Sequence, residues 1–436
     1  MAQSSEGNVY QRLGEKIDGL PFRTPWNETF HSILKELYTS EEAEIVVKMP
    51  YTLSALDRIA KITKIEKTQL RNILEKLCND GLVIDVWNEK DNQYYYMPWP
   101  FVPGIFEFTM MRKGDNLNTK EWAKLFHEYF DPLYTTNYSH KEQISAFRVI
   151  PIEETITPDK YIKFLDFENA TSIIDNSRKL AIGLCSCRNE KYNIGKKECD
   201  APLESCSFMG LGADYTIRNN LAREVSKSEM LDHFARAKEL GLVFCSYNTG
   251  KRQAAICQCC KCCCNYLAGI TRFGYTNSVI TSNYISKINT EVCKGCGKCL
   301  EVCPVNAVSL ISANDPKNKK RKTSIVNKEI CIGCGVCALK CPTHSIDLIA
   351  RDSKVIPPES IFEFTMLSSL ERGTLQNQLF DNPESITHNF MRAFIGGFLR
   401  LSPVKKALMS DLFRSSFLNF MTMGAKLQGK GWMTEL

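Results

Sequence analysis

The chain has 436 residues, 44% of them hydrophobic, and 55 Lys and Arg against 49 Asp and Glu, the proportions of an ordinary soluble globular protein of two to four domains. No apolar signal core occupies the first thirty residues and no uninterrupted apolar stretch of about eighteen occurs, so secretion and membrane spanning have no support. Twenty Cys are the outlier; in the cytoplasm, the expected location, thiols stay reduced and such clustering argues for metal, and for an anaerobic or microaerobic host.

After a polar start, Ile33, Leu34, Leu37 and the segment EEAEIVV predict one or two helices, and Leu53 to Ile62 another. Leu70, Ile73, Leu74 and Leu77 fall at i, i+3, i+4 and i+7, one face of a further helix that Gly81 would end. LVIDVW and QYYYMPW then read as two strands joined by the turn NEKDN. Helices followed by a hairpin resemble a winged-helix domain. The exposed face of its last helix mixes Lys67, Arg71 and Lys76 with Glu66 and Glu75, which fits a protein-docking module better than a DNA reader, although DNA contact stays open. Cys78 on this helix reads as a small buried residue. The segment IFEFTM occurs at 105–110 and again at 361–366, which suggests paired packing segments in which Phe106, Phe108, Phe362 and Phe364 serve one core. Glu121 to Phe130 predicts an amphipathic helix, and its His127 reads as structural.

Residues 151–290 hold eleven Cys within eighty residues: Cys185, Cys187, Cys199, Cys206, Cys245, and the run CQCCKCCCN with Cys257, Cys259, Cys260, Cys262, Cys263 and Cys264. SAFRVIPIEETI and KLAIGLCSC read as strands. Ser226 and Glu229 form a capping box for a helix burying Met230, Leu231, Phe234 and Leu240, after which LVFCSY returns as a strand. This predicts an α/β centre with Cys on strand ends and adjoining loops. Cys185, Cys187, Cys199 and Cys206 are the expected first quartet; four of the later Cys form another or enlarge the first. One or two further Fe–S clusters are the leading occupants, zinc the alternative, since thiolates suit both. A second organic cofactor is a third reading, but no phosphate-cradling glycine loop is visible. Cys259 and Cys260, adjacent on an extended chain, point opposite ways and should serve different roles; if NYLAG continues a helix begun in the Cys run, Cys260 and Cys264 share a face.

CKGCGKCLEVCP and CIGCGVCALKCP then repeat one pattern, CxxCxxCxxxCP. Three Cys at three-residue spacing wrap a loop around a cubane core, and the fourth arrives from elsewhere. Zinc knuckles would need two-plus-two spacing, which these runs lack. The stretch from 286 to 350 resembles the two-cluster [4Fe-4S] ferredoxins. That resemblance implies that Cys293, Cys296 and Cys299 hold one cluster with Cys341, and that Cys331, Cys334 and Cys337 hold the other with Cys303. Short strands in INTEVC, AVSLI, TSIVN and SIDLIA should flank the loops, and Lys317, Lys319, Lys320, Arg321 and Lys322 should form a solvated linker hairpin, with a docking patch for an acidic partner as the alternative. His344 reads as a surface residue.

The tail from Thr387 to Met423 predicts two amphipathic helices broken near Ser402 and Pro403, with Arg392, Arg400, Lys405, Lys406 and Arg414 among Phe, Leu and Met. Packing on the body is the default, and peripheral membrane attachment or a partner groove the alternative.

The predicted architecture is thus multi-domain α+β: a winged-helix-like module at 1–120, a Cys-rich α/β domain at 121–285, a two-cluster ferredoxin domain at 286–352 and a helical tail at 353–436. Its layout is similar to the multi-domain 4Fe-4S dicluster proteins of anaerobes. The expected function is one-electron transfer between a redox partner protein and the central Cys site. The alternatives are an oxidoreductase reducing a substrate at that site and a redox-sensing winged-helix regulator. No Ser/His/Asp set, paired catalytic carboxylates, P-loop or dinucleotide fingerprint supports a hydrolytic or nucleotide-dependent enzyme.

Overall fold

A computed structural model describes residues 2–138, 144–157, 168–316 and 318–436; Lys317 of the linker hairpin lies outside them. Helix Ser40–Lys48, the two-residue strand β1 (Ser54–Ala55), helices Leu56–Thr63 and Lys67–Asn79, and the hairpin of β2 (Val83–Asn88) and β3 (Gln93–Pro98) follow one another, the strands forming a sheet in the order β1-β3-β2. Leu70, Leu74 and Leu77 are buried on one face of Lys67–Asn79, as their spacing requires, and Cys78 is buried beside them in the same apolar core. Gly81 ends the segment at φ +77°, a left-handed conformation that a side chain would strain. The polar start is itself a helix, Ala2–Asp18, because its apolar face is sparse enough to escape pattern reading.

Helix Thr119–Tyr138 is longer than its sequence pattern suggested and packs Trp122, Phe126, Tyr129 and Phe130 into the N-terminal core, so this core extends well past residue 120. The hairpin is not free: Asp85 accepts hydrogen bonds from Arg218 Nε at 2.5 Å and Asn219 Nδ2 at 3.0 Å, both from the central domain. Trp432 of the tail packs on Tyr95 with ring centroids 4.7 Å apart. Asp381 of the tail, 2% exposed, accepts from Arg58 at 2.8 and 2.7 Å and from Lys430 at 2.8 Å, strapping the tail to the first module.

The central domain is one six-stranded sheet of β4 (Phe147–Ile150), β5 (Leu180–Leu184), β6 (Glu204–Met209), β7 (Ala222–Glu224), β8 (Val243–Tyr247) and β9 (Ala255–Cys259), in the order β4-β8-β9-β6-β5-β7. Every pair is antiparallel. Strands β6 and β9 lie in Cys- and Ser-rich sequence that carries no strand pattern. Helix Lys227–Glu239 covers one face with Met230 and Phe234, its Ser226 cap accepting from Glu229 N, while Leu240 lies 40% exposed beyond its end. The two IFEFTM segments are both helical but do not share a core. Phe106 belongs to the N-terminal core, Phe108 to a small cluster under β6, and Phe362 and Phe364 to the large central one.

In the Cys-repeat domain β10 (Tyr284–Ile288) pairs with β13 (Ile346–Ala350), and β11 (Val308–Ser312) with β12 (Lys322–Val326). The first strand thus lies mostly upstream of INTEVC, of which only Ile288 is strand. The tail forms helices Ile361–Arg372, Leu375–Leu379, Ile386–Leu399, Ser402–Met409 and Asp411–Leu427, with Pro403 in the first turn of the fourth, where its missing N–H costs nothing. Among the described residues no helix is long and apolar enough to cross a membrane.

Candidate metal centres

The two CxxCxxCxxxCP loops are built alike down to their supporting atoms. Gly295 and Gly333 adopt φ +64° and +69°, and a Cβ on either would collide with the carbonyl of Lys322 or Tyr284 respectively, so each Cys loop lies against a strand too closely for any side chain. Ser324 of β12 places Oγ 3.1 Å from Cys299 Sγ, and Ser286 of β10 places Oγ 3.2 Å from Cys337 Sγ. Ala307 N donates to Cys303 Sγ at 3.2 Å, and Ser345 N to Cys341 Sγ at 3.4 Å. Backbone N–H and hydroxyl groups aimed at sulfur are the donors a buried, anionic thiolate cluster requires, and Cys299, Cys303, Cys337 and Cys341 have them.

Ser286 and Ser324 escaped motif reading, yet the repeat extends upstream of the Cys: SKINTEVC and SIVNKEIC align, each with Ser seven residues before its first Cys. Asn289 and Asn327 in the same repeat accept at Oδ1 from Glu291 N and Glu329 N, at 3.1 and 3.0 Å.

The two loops differ in exposure. Cys296 is exposed, with Lys294 and Lys298 exposed beside it. Cys334 is buried, and its carbonyl accepts from Ile152 N at 3.0 Å, just past β4 of the central sheet. In the linker hairpin Arg321 is occupied structurally, donating to the carbonyls of Thr290 and Glu291 at 3.0 and 2.8 Å, whereas Lys319, Lys320 and Lys322 are exposed. His344 is exposed, as its position suggested.

Ten of the eleven central Cys fall into two groups, neither of them the expected first quartet, and Cys185 belongs to neither. Cys199, on the loop before β6, meets Cys260, Cys262 and Cys263 on the turn after β9, all four sulfurs lying within 4.8 Å of one another. The second group is a buried chain of thiol contacts: Cys187 with Cys264, Cys264 with Cys259, Cys259 with Cys245 and Cys257, and Cys257 with Cys206. Strand register explains part of it, because Cys206 pairs with Cys257 and Cys257 with Cys245, and directly paired residues share a face of the sheet. Cys259 and Cys260 do fall into different groups. Cys187 lies on helix Ser186–Asn193 rather than on a strand, and helix Asn265–Phe273 begins only after Cys264, so Cys260 and Cys264 part company.

Hydrogen bonds from neighbouring thiols pull three of these sulfurs, Cys257, Cys264 and Cys260, below the ordinary thiol range. Cys206 and Cys259 lower Cys257, Cys187 and Cys259 lower Cys264, and Cys263 lowers Cys260, with Arg188 adding to the last. Burial pushes Cys185 up to about 12, against the pull of Arg188. Arg188 is fully buried; its Nη1 donates to Pro202 O at 2.8 Å and its Nη2 to Gln258 O at 2.9 Å. Burial alone would lower its pKa, but the Cys185 and Cys260 sulfurs outweigh that and hold it charged. A permanent cation among thiols compensates the negative charge that thiolate–metal sites carry.

His127 serves a structural tie. Its Nδ1 is 2.9 Å from the buried Glu190 Oε1, joining helix Thr119–Tyr138 to the Cys187 helix.

The Cys206 face of the sheet looks onto a cavity of about 1500 Å³ walled by the hairpin, the central sheet and the tail. Its lining is mainly apolar, with Trp99, Phe147, Tyr247 and Phe364 prominent, and Cys206 and Cys257 reach it. Glu107, from the first IFEFTM segment, is there too. It accepts from Gly104 N at 2.7 Å and Tyr266 Oη at 2.9 Å, and burial raises its pKa to about 7 despite those bonds. Nothing in its local sequence distinguishes this Glu, since the second IFEFTM carries an equivalent residue, Glu363, outside the cavity.

A family model described as a 4Fe-4S dicluster domain matches residues 292–345. No curated protein matches the chain.

Proposed function

We propose that this chain, which carries a 4Fe-4S dicluster domain over 292–345, transfers single electrons between a redox partner protein and the Cys-rich central domain. In this reading Cys293, Cys296, Cys299 and Cys341 hold an outer cluster, and Cys331, Cys334, Cys337 and Cys303 an inner one. Such clusters supply one-electron chemistry at potentials set by burial and by hydrogen bonds to sulfur. The observation that carries the reading is the opposite exposure of two otherwise matched loops. Exposed Cys296, rimmed by Lys294 and Lys298, offers an acidic partner a contact, while buried Cys334 abuts the chain just past β4. From β4 the row Val149, Cys245, Cys257, Cys206 crosses the sheet at about 5 Å per strand, a short route for an electron.

Anaerobic reduction followed by electron paramagnetic resonance tests this. Two cluster signals are expected, of which Cys334→Ala removes one, and Lys294→Glu with Lys298→Glu should slow reduction by an acidic electron carrier at low salt. A chain with neither signal would end the proposal.

The cavity favours a second reading, an oxidoreductase whose apolar substrate meets the Cys206–Cys257 edge with Glu107 as a proton source near neutral pH. The winged-helix-like N-terminal module is proposed as a docking element, supported by the engagement of its hairpin through Asp85, Arg218 and Asn219. A gel-retardation shift of duplex DNA that depends on redox state would instead favour the regulator.

A further inference from the structure

We infer that Cys199, Cys260, Cys262 and Cys263 form a closed, mononuclear tetrahedral site for one zinc ion. This rests on reading the central Cys as metal ligands, and is independent of electron transfer. In a tetrahedral thiolate site with Zn–S of about 2.3 Å the sulfurs stand about 3.8 Å apart. Here Cys199 Sγ lies 3.5 Å from Cys260 Sγ, Cys262 Sγ 3.8 Å from Cys260 Sγ, and Cys262 Sγ 3.4 Å from Cys263 Sγ. A cubane interposes irons and sulfides between its thiolates and holds them farther apart. The protein contains its own ruler: among the described residues no three Cys of the CxxCxxCxxxCP loops come within 4.8 Å of one another, whereas this quartet does.

The chemistry agrees with the spacing. Four protein thiolates fill all four positions of a zinc ion, leaving none for substrate, which marks a structural site. Such a site would fasten the Cys199 loop to the turn after β9, and this turn also carries Cys259 and Cys264 into the buried chain of thiols. A tetrathiolate zinc centre carries a net negative charge, and the buried guanidinium of Arg188 stands beside Cys260 and Cys199 to offset it. Among the described residues its Nε has no oxygen or nitrogen partner. Cys199 and Cys262 are only half-buried, which gives an ion a path from solvent.

Elemental and acid-labile sulfide analysis of the anaerobically purified full-length chain, with X-ray absorption at the zinc edge, tests this. About one zinc per chain is expected, with a single shell of four sulfurs near 2.3 Å and no metal neighbour. Cys199→Ser and Cys262→Ser should each lose that zinc while iron and sulfide stay constant. Absence of zinc, iron without sulfide in its place, or variants that lose iron and sulfide together would overturn the assignment. Should the variants fail to fold, the absorption spectrum of the unmodified protein decides. Failure of the electron-transfer reading would show separately, as missing iron and sulfide with zinc retained.

A different observation carries a second proposal. Ile386, Phe390, Phe394 and Phe398 recur every four residues along helix Ile386–Leu399 and are 86, 68, 68 and 57% exposed. Helix Asp411–Leu427 adds exposed Leu412, Phe413, Phe420 and Met423. Monomeric proteins seldom leave so many large apolar side chains uncovered along one segment. From 386 to 436 the chain carries seven Lys and Arg against two Asp and Glu, a charge that complements anionic lipid. We propose that this face lies on an anionic bilayer surface, the protruding aromatic rings entering the acyl boundary. Full-length protein should float with phosphatidylcholine vesicles containing phosphatidylserine and less with phosphatidylcholine alone. Phe390→Glu with Phe394→Glu, both on the surface, should abolish flotation while retaining cluster spectra. No flotation on anionic vesicles, or a self-association that the double variant dissolves, would overturn it.

Discussion

Ser286 and Ser324 should tune the two clusters separately. Once a Cys sulfur is bound to iron it can only accept, so each Ser Oγ must donate, across 3.2 Å from Ser286 to Cys337 and 3.1 Å from Ser324 to Cys299. A reduced cluster carries one more negative charge than an oxidised one, so the donor stabilises the reduced form more. Hydrogen bonds to charged groups contribute about 1.5–3 kcal/mol, of which the difference between two oxidation states is a fraction, about 0.5–1.5 kcal/mol. At 59 mV for each tenfold change in a one-electron equilibrium, this is a fall of about 20–65 mV on removing the hydroxyl. Anaerobic potentiometric titration monitored by electron paramagnetic resonance should find Ser286→Ala lowering the cluster of Cys331, Cys334 and Cys337, and Ser324→Ala the other. Equal shifts of both clusters by one substitution, a rise in potential, or no change beyond about 10 mV would exclude separate tuning by these hydroxyls.

Gly295→Ala and Gly333→Ala each drive a Cβ into a strand carbonyl at a positive φ, and each should cost one cluster's iron and sulfide, measured chemically, while the other loop keeps its own. Glu107, raised to about 7 against an unfolded value near 4.3, destabilises the fold as pH rises between those values, by roughly 4 kcal/mol in full. Glu107→Gln should therefore flatten the dependence of the thermal midpoint on pH between 5 and 7.5, while an unchanged slope would contradict the buried-acid account. Asp381 behaves oppositely: burial would raise its pKa, but Arg58 and Lys430 outweigh it and hold the carboxyl well below its usual range. Its contribution is present above about pH 4 and lost below it. Asp381→Asn should cost about 1–3 kcal/mol, less than a fully buried pair because Arg58 is partly exposed, and limited proteolysis at neutral pH should release the tail sooner.

The helix of Leu70, Leu74 and Leu77, the hairpin after Gly81 and the break at Pro403 were legible because each rests on contacts or backbone preferences within a few residues. β6 and β9 were not, since Cys and Ser carry little period-two signal and the strands are defined by the partners beside them. Glu107 is the sharpest case. Two identical IFEFTM segments place one carboxyl in the cavity and the other outside it, and no local pattern distinguishes them.

By itself the sequence determined a cluster-binding domain, because CxxCxxCxxxCP encodes the ligands of one loop within twelve residues and Gly295 and Gly333 permit the turn. It also determined that the central Cys are too dense for ordinary packing. Only the tertiary structure decided which central thiols meet, since cross-strand register and the turn after β9 bring together residues some sixty positions apart, Cys199 with Cys260, and divide neighbours such as Cys259 and Cys260. It alone decided which cluster loop faces solvent. Matched motifs have matched local chemistry, but burial is a property of what the rest of the chain packs against them.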